Sequence, residues 1–303
     1  MNSHIDIHAD DYGLSENSDN DIISLCKEKR LNSISILPNL RTFNKSAGKI
    51  LELNKELNSQ IKIAIHLDVM EGYCTSSTKD VRHLINSKGL FNISWGKLFI
   101  LNYIPVINRI IRRELEIEII NQTKIVINSG ILHNQALRFD SHQHPHMIPV
   151  FFDALLNSIK QLADDGYTTE FVRNTYDPLF FYVGTKTFYK NFSIANVLKC
   201  LILNQYARRN EKKLKKMNLP LQFMCGVFFS GKMDDRLNKV LPLYFAKASK
   251  KNKSVELLFH PGTMLKSELT EEFTKNGFNE FHLSVNRQTE FSTIIHTNFF
   301  SDN

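Results

Sequence analysis

Short apolar runs recur along the chain, and helical patterns separate them. The runs are residues 4–9, Ser33–Leu37, Ile61–Ile65, residues 136–140, Thr168–Arg173, Leu221–Val227 and Ser254–Phe259. Between them, apolar positions recur at helical spacing over Ser15–Arg30, Asn44–Leu57, Glu114–Asn128, Ile148–Asp165, Ile194–Met217 and Asp234–Lys250, with a last helix over 278–300 running into a frayed tail. Gly130 and Gly166 stop two of these helices. Strands that alternate with helices predict an α/β fold with a parallel sheet, its helices outside. Near-continuous apolar runs suit parallel strands buried on both faces. Residues 73–103 and 174–192 break the pattern, and Leu90–Ile111 is rich in large apolar side chains, the mark of a lid or a packed helical insertion. No repeat, low-complexity segment or linker divides the 303 residues.

The runs end in residues of catalytic type. Asp10 and Asp11 follow the first, His66 the third, His142, His144 and His146 the fourth, Arg173 the fifth and His260 the last. In parallel α/β folds and barrels, functional groups gather at the C-terminal strand ends. Three histidines at every second position would share a face if the strand continued, but Pro145 argues for a strand end opening into a loop. Imidazole is the commonest transition-metal ligand, and an Asp with two His matches a catalytic site that leaves one position open. Adjacent carboxylates repel, so one can bind an ion while its neighbour takes a proton. In a mechanism with Asp10 as the base, Arg173 would orient it. Taken singly, each cluster has a plainer reading: an Asx turn at Asp10-Asp11, a satisfied structural histidine at His66, a His-rich surface loop at 142–146.

Composition narrows the setting. The chain is 42% hydrophobic, enough for a large core, with a formal net charge of +7. Much of that charge lies in local runs such as Arg208-Arg209 and Lys212-Lys213, which read as one solvated helix face; no nucleic-acid motif accompanies them. Cys26, Cys74, Cys200 and Cys225 are scattered, with no CxxC pair, which suggests free thiols in a reducing compartment. With no signal-like start and no apolar run of spanning length, a cytoplasmic protein is expected.

The segments Ala9-Asp10-Asp11-Tyr12-Gly13-Leu14-Ser15, Ile65-His66-Leu67 with Glu71-Gly72, Asp140-Ser141-His142-Gln143-His144-Pro145-His146 and His260-Pro261-Gly262 occur in one order. In that order and spacing the chain resembles the YdjC-type carbohydrate deacetylases, the family of the chitooligosaccharide deacetylase. Gln122, Arg173, Gly226 with Phe229 and Gly231, and Arg287 with Glu290 extend the likeness over nearly the whole chain. The resemblance implies a distorted (β/α) barrel of the polysaccharide-deacetylase kind: one domain over 1–303, with helical and aromatic insertions near 88–111 and 174–216. It implies one divalent ion, zinc or magnesium, on Asp11, His66 and His142, with the histidines favouring a transition metal. Asp10 would be the general base and His260 the general acid, and the reaction the removal of acetyl from an N-acetylated sugar. His144, His146, Asp68 and Asp140 would lie nearby. Departures from the family pattern are Tyr12 for Phe, Asp68 for Asn, and Asn17 and Asp19 where Gly and Asn are usual.

Two other classes stay open at this level: a metal phosphohydrolase, which would want a second, carboxylate-rich ion site, and a non-catalytic sugar-binding protein on the same scaffold. Segments 95–113 and 194–216 each run from apolar residues into cations. Such a pattern suits a membrane headgroup surface and a lipid-linked sugar. The plainer account is that the stripes cover the barrel or a homodimer contact.

Overall fold

The computed structural model describes residues 5–57, 61–183, 188, 193–273, 276–297 and 299. Seven parallel strands form one curled sheet: β1 (Ile5–Tyr12), β2 (Ser33–Ile36), β3 (Lys62–Leu67), β4 (Leu137–Ser141), β5 (Thr169–Val172), β6 (Gln222–Cys225) and β7 (Ser254–Phe259). Their order is β5-β4-β3-β2-β1-β7-β6, so β1 lies inside the sheet and the two edges are β5 and β6. The curl brings those edges toward each other: the Met224 N–H of β6 donates to the Tyr176 carbonyl just beyond β5, at 2.9 Å. This is a distorted α/β half-barrel with its helices around it: the alternation of elements predicted the α/β class with a parallel sheet, and the family resemblance implied the distorted barrel.

The helices are α1 (Glu16–Lys27), α2 (Phe43–Glu56), α3 (Trp95–Leu101), α4 (Pro105–Asn128), α5 (Pro149–Asp164), α6 (Ile194–Lys216), α7 (Leu241–Lys251), α8 (Asn276–His282) and α9 (Asn286–His296). α1 starts where its chemistry dictates: Ser15 accepts the Ser18 N–H, and Glu16 and Asp19 lie in the first turn. Gly13 precedes it at φ 96°, a backbone conformation that strains any side chain. A Cβ on Gly262 would lie 1.8 Å from Ser18 Oγ, so only glycine lets the chain after β7 pass α1 this closely.

Three boundaries differ from the sequence pattern. Helix α4 begins at Pro105, not Glu114, because proline is preorganised for the first helical turn and Ile107 and Ile111 continue the buried stripe. The segment 234–250 divides into a 3-10 turn over Asp235–Lys239 and then α7, whose first turn holds Pro242. The C-terminal segment 278–300 divides into α8 and α9, and the tail beyond 299 lies outside the described residues, as do 184–187 and 189–192 of the irregular stretch 174–192. Strands β1, β3 and β4 run further than the apolar runs alone suggested, and they carry Asp10, Asp11, His66 and Asp140 within them.

At the N-terminal strand ends, Asp6 of β1 accepts from Arg138 of β4 (2.7 Å) and from Lys62 of β3 (2.5 Å). That end is tied by structural ion pairs, which leaves the C-terminal strand ends for chemistry.

Asp19 gives a test of this local packing. Its carboxylate is buried, accepts the Gly13 N–H at 2.7 Å and faces the Ser46 hydroxyl. Burial lifts its carboxyl from 3.8 to about 6. A raised carboxyl means that the folded state holds the proton more tightly than the unfolded chain. The stabilising contribution is therefore full below the unfolded pKa near 3.8 and lost as pH rises through about 6. Asp19→Asn, which keeps an acceptor for Gly13, is expected to melt above the native protein at neutral pH, by up to about 3 kcal/mol. The advantage should vanish near pH 4. Paired thermal melts across that range check it; an Asn variant less stable at neutral pH would show that the carboxylate's hydrogen bonds outweigh its burial.

Candidate metal centre

A regular strand sends successive side chains to opposite faces. At the end of β1 that rule fails: Asp11 has φ 65°, and the pairing register with β2 shifts between Ala9 and Tyr12. The left-handed residue brings Asp10 and Asp11 to neighbouring positions in one buried cluster. Asp11 Oδ1 lies 3.2 Å from His66 Nε2, at the end of β3, and 2.8 Å from His142 Nδ1, just past β4. The chain then turns through Gln143 and His144, both at positive φ, into a 3-10 turn over Pro145–Met147. This turn separates the three histidines. His142 meets Asp11. His144 lines the cleft. His146 turns inward to Ser141 and to the Arg173 carbonyl (2.9 Å).

The tautomer of His66 is set from behind. Its Nδ1 lies 2.7 Å from Asp140 Oδ1 and 2.9 Å from Ser35 Oγ, so that nitrogen carries a proton for the carboxylate. Nε2 then faces Asp11 either as a second N–H or as a lone pair sharing a cation with it. Although burial opposes charge on the ring, Asp10, Asp140 and Asp11 push the His66 pKa well up, and Asp11 does the same for His142. Burial would raise the Asp11 carboxyl, but His142 above all, with His66 and His282, holds it well below the usual carboxylate range. Two imidazole nitrogens and a carboxylate oxygen, all buried and within 4.8 Å of one another, form a donor set that fits a divalent transition-type ion. The carboxylate behind one histidine is the partner that such sites use to orient a ligand.

Two further acid–histidine groupings, His8–Asp140–Glu256 and Asp10–His66–Asp140, lie beside the first. A cation already sits among them. Arg173 makes a two-pronged contact with Asp10 (2.9 and 2.8 Å), reaches Asp140 at 3.0 Å and holds Glu256 through Nε and Nη2 (3.0, 3.1 and 2.8 Å). The sequence showed no carboxylate cluster beyond the first motif; the fold assembles one, but around a guanidinium. Burial alone would raise the Asp10 carboxyl, and Arg173 holds it well below its ordinary value instead.

The cluster opens into a cleft of about 560 Å³ lined by Asp10, Asp11, His142, His144, His260 and Ser230, with Trp95, Phe278 and Phe281 as flat apolar walls. His260 Nε2 stands 4.0 Å from Asp10 Oδ2. Its backbone is fixed from both sides, the N–H donating to Glu290 (2.6 Å) and the carbonyl accepting from Arg287 (2.9 Å). His144 Nδ1 is buried without a hydrogen-bond partner, and burial together with Lys199 and Arg173 pushes its pKa well down. Asp68 does not face the cleft: its carboxylate caps the loop by accepting the Met70 and Glu71 N–H groups, while Gln122 brackets its backbone.

Four residues of this region were missed from sequence. Glu256 and His8 are charged positions inside apolar strands, and a buried charge there implies a partner. Lys199 lines the cleft from α6, and His282 lies 3.8 Å from Asp11 on α8, stacked 6.0 Å from His142. Neither follows a strand, so position in the sequence gave no signal.

The family model described as YdjC-like protein matches residues 4–302. Among proteins of curated function none matches. Among solved structures, a protein of Enterococcus faecalis V583, provisionally named for cellobiose-phosphate cleavage, is 17% identical with a TM-score of 0.58, over 97% of this chain and 94% of that one. At that identity it shows the fold alone. A mannanase catalytic domain from Streptomyces sp. SirexAA-E aligns at 10% identity and TM-score 0.37, over 96% and 89% of the two chains, which is too loose to bear on either fold or site.

The orienting role of Asp140 is open to measurement. Asp140→Asn keeps the shape but weakens the pull on His66 Nδ1. Zinc affinity, read by competition with a chromophoric chelator, is expected to fall about 10–100-fold. An unchanged affinity would remove Asp140 from the centre.

Proposed function

We propose that this chain, which belongs to the YdjC-like family, is a metal-dependent hydrolase that removes the acetyl group from an N-acetylated amino sugar. The observation that carries the reading is the placement, at one cleft, of a three-donor centre (Asp11, His66, His142) beside an ionised carboxylate fixed by an arginine (Asp10, Arg173), with the His260 imidazole 4.0 Å from that carboxylate. Family membership supports a carbohydrate-processing enzyme; the acetamide is our assignment.

A divalent ion on Asp11, His66 and His142 would supply Lewis acidity toward the acyl oxygen and make a neighbouring water easier to deprotonate. The chain's own groups account for the rest. Asp10 accepts the water's proton as its oxygen adds to the acetyl carbon. Arg173 keeps Asp10 ionised at neutral pH, which makes it always available but a weak base, so its effectiveness rests on position. As the C–N bond breaks, His260 gives a proton to the departing amine, and acetate and the free amino sugar result. His144 lines the cleft beside these groups, within reach of a bound sugar. Trp95, Phe278 and Phe281 present ring faces suited to the apolar side of a pyranose.

A phosphohydrolase would draw on the same ligand types and would echo the provisional name of the E. faecalis neighbour. It needs a second ion, and the carboxylates nearest to hand, Asp10, Asp140 and Glu256, already surround Arg173. A binding protein without activity would lack a ligand or the base, and both are present.

Acetate release from a panel of N-acetylated saccharides, assayed with zinc, cobalt, magnesium or no added ion, tests the reading. Activity is expected to disappear on chelation and return with a transition-metal ion, at about one ion per chain. Asp10→Asn is expected to bind the ion normally but lose about 10²–10⁴-fold in turnover. Full activity in Asp10→Asn would remove it as the base. Phosphate release without acetate release, or two tightly held ions, would favour the phosphohydrolase.

A further inference from the structure

The mouth of the cleft is bordered by apolar side chains that stand exposed among the described residues. On the α3–α4 corner, Ile100, Tyr103 and Val106 are 62, 59 and 71% exposed; on α6, Ile194 and Leu198 are 71 and 54% exposed. The two groups meet: Tyr103 Oη and Tyr206 Oη lie 3.4 Å apart, and Trp95 at the start of α3 shares the cleft wall with Ile202 of α6. A second groove beside the cleft continues the surface, with Phe180 and Leu201 on its walls and Arg208 at its side. An exposed apolar surface of this extent marks an interaction site.

Charge identifies the partner. Residues 81–113 and 178–210, the two stretches that build this border, contain no Asp or Glu, although 31 acids over 303 residues would average about three in each. They do carry cations, among them Arg109, Arg112 and Arg113 in the first and Lys199, Arg208 and Arg209 in the second. On α6 the exposed stripe passes from Ile194, Leu198 and Leu201 to Arg208, Arg209 and Lys212, apolar first and basic after. Lys247 adds a cation 5.8 Å over the exposed Phe180 ring. A second copy of the chain fits poorly here, because a two-fold contact sets a patch against itself and would oppose cation to cation. No described helix is long and apolar enough to cross a membrane, so any engagement is peripheral.

We infer that this face docks the protein on an anionic membrane surface, with the apolar border entering the interface, the flanking Lys and Arg meeting acidic headgroups, and the cleft mouth turned toward the lipid. The inference stands on surface chemistry and is independent of the reaction proposed above.

Flotation of the full chain with phosphatidylcholine vesicles, with and without about one-third phosphatidylglycerol, tests it without an activity readout. Binding is expected only to the anionic vesicles, with release by high salt. Val106→Glu with Leu198→Glu, and separately Arg208→Ala with Arg209→Ala and Lys212→Ala, should each weaken binding tenfold or more while leaving the thermal melt unchanged. No flotation with anionic vesicles at low salt would overturn the inference, as would equal binding to neutral vesicles. So would a stable dimer, in sedimentation velocity, that Val106→Glu with Leu198→Glu splits into monomers.

Discussion

The site depends on one buried cation. Arg173, fully buried at the end of β5, holds Asp10 from β1, Asp140 from β4 and Glu256 from β7. Those strands are not all neighbours in the sheet; the guanidinium spans the curl of the half-barrel and draws together strand ends that backbone pairing alone leaves apart. Three buried carboxylates without it would repel one another and lack solvation. Breaking a buried pair of this kind typically costs about 3–5 kcal/mol. Burial works against ionising Asp10, and the planar, two-pronged contact overcomes it, fixing charge and orientation at once. A lysine could match the charge but not the fork.

From that anchor the order of the ligands follows. Asp140 is shared: one oxygen meets Arg173 and the other meets His66 Nδ1. The arginine thus fixes the carboxylate that fixes the tautomer of the histidine that presents Nε2 to Asp11. The left-handed backbone at Asp11 completes the arrangement by placing adjacent aspartates in the same cluster. One faces a cation built into the protein and the other faces nitrogen donors, so their roles differ although their chemistry is the same.

How much of this could be read from the sequence follows from how local each cause is. The strand-end groups Asp10, Asp11, His66, His142, Arg173 and His260 were legible because apolar runs mark buried parallel strands and each group directly follows or ends a run. Their convergence was legible only as a rule about parallel folds. Glu256 and His8 were not singled out, because their partners come from other strands and pairing at that distance leaves no local pattern. His144 and His146 looked equivalent to His142, yet positive φ at Gln143 and His144 sends the three apart. The first turns of α4 were legible only as part of an apolar insertion, and not as a continuous helix with Glu114–Asn128, because Val106 and Ile110 are exposed apolar residues and a helix without a polar outer face does not show the usual amphipathic contrast.

That same missing contrast links the fold to the surface around the cleft. Helices α1, α2 and α5 bury their apolar stripes, α1 beside α2 and α5 beside α4. α3, the start of α4 and the first half of α6 instead leave apolar side chains exposed, and they do so where the strands deliver their chemistry. Rigid strand ends hold the reacting groups, since small displacements there would disturb every charge around Arg173. Large apolar side chains in water at the mouth are unfavourable unless something covers them. The cations beside them, with no acid along either stretch, make an anionic and apolar partner the one that offsets both costs together.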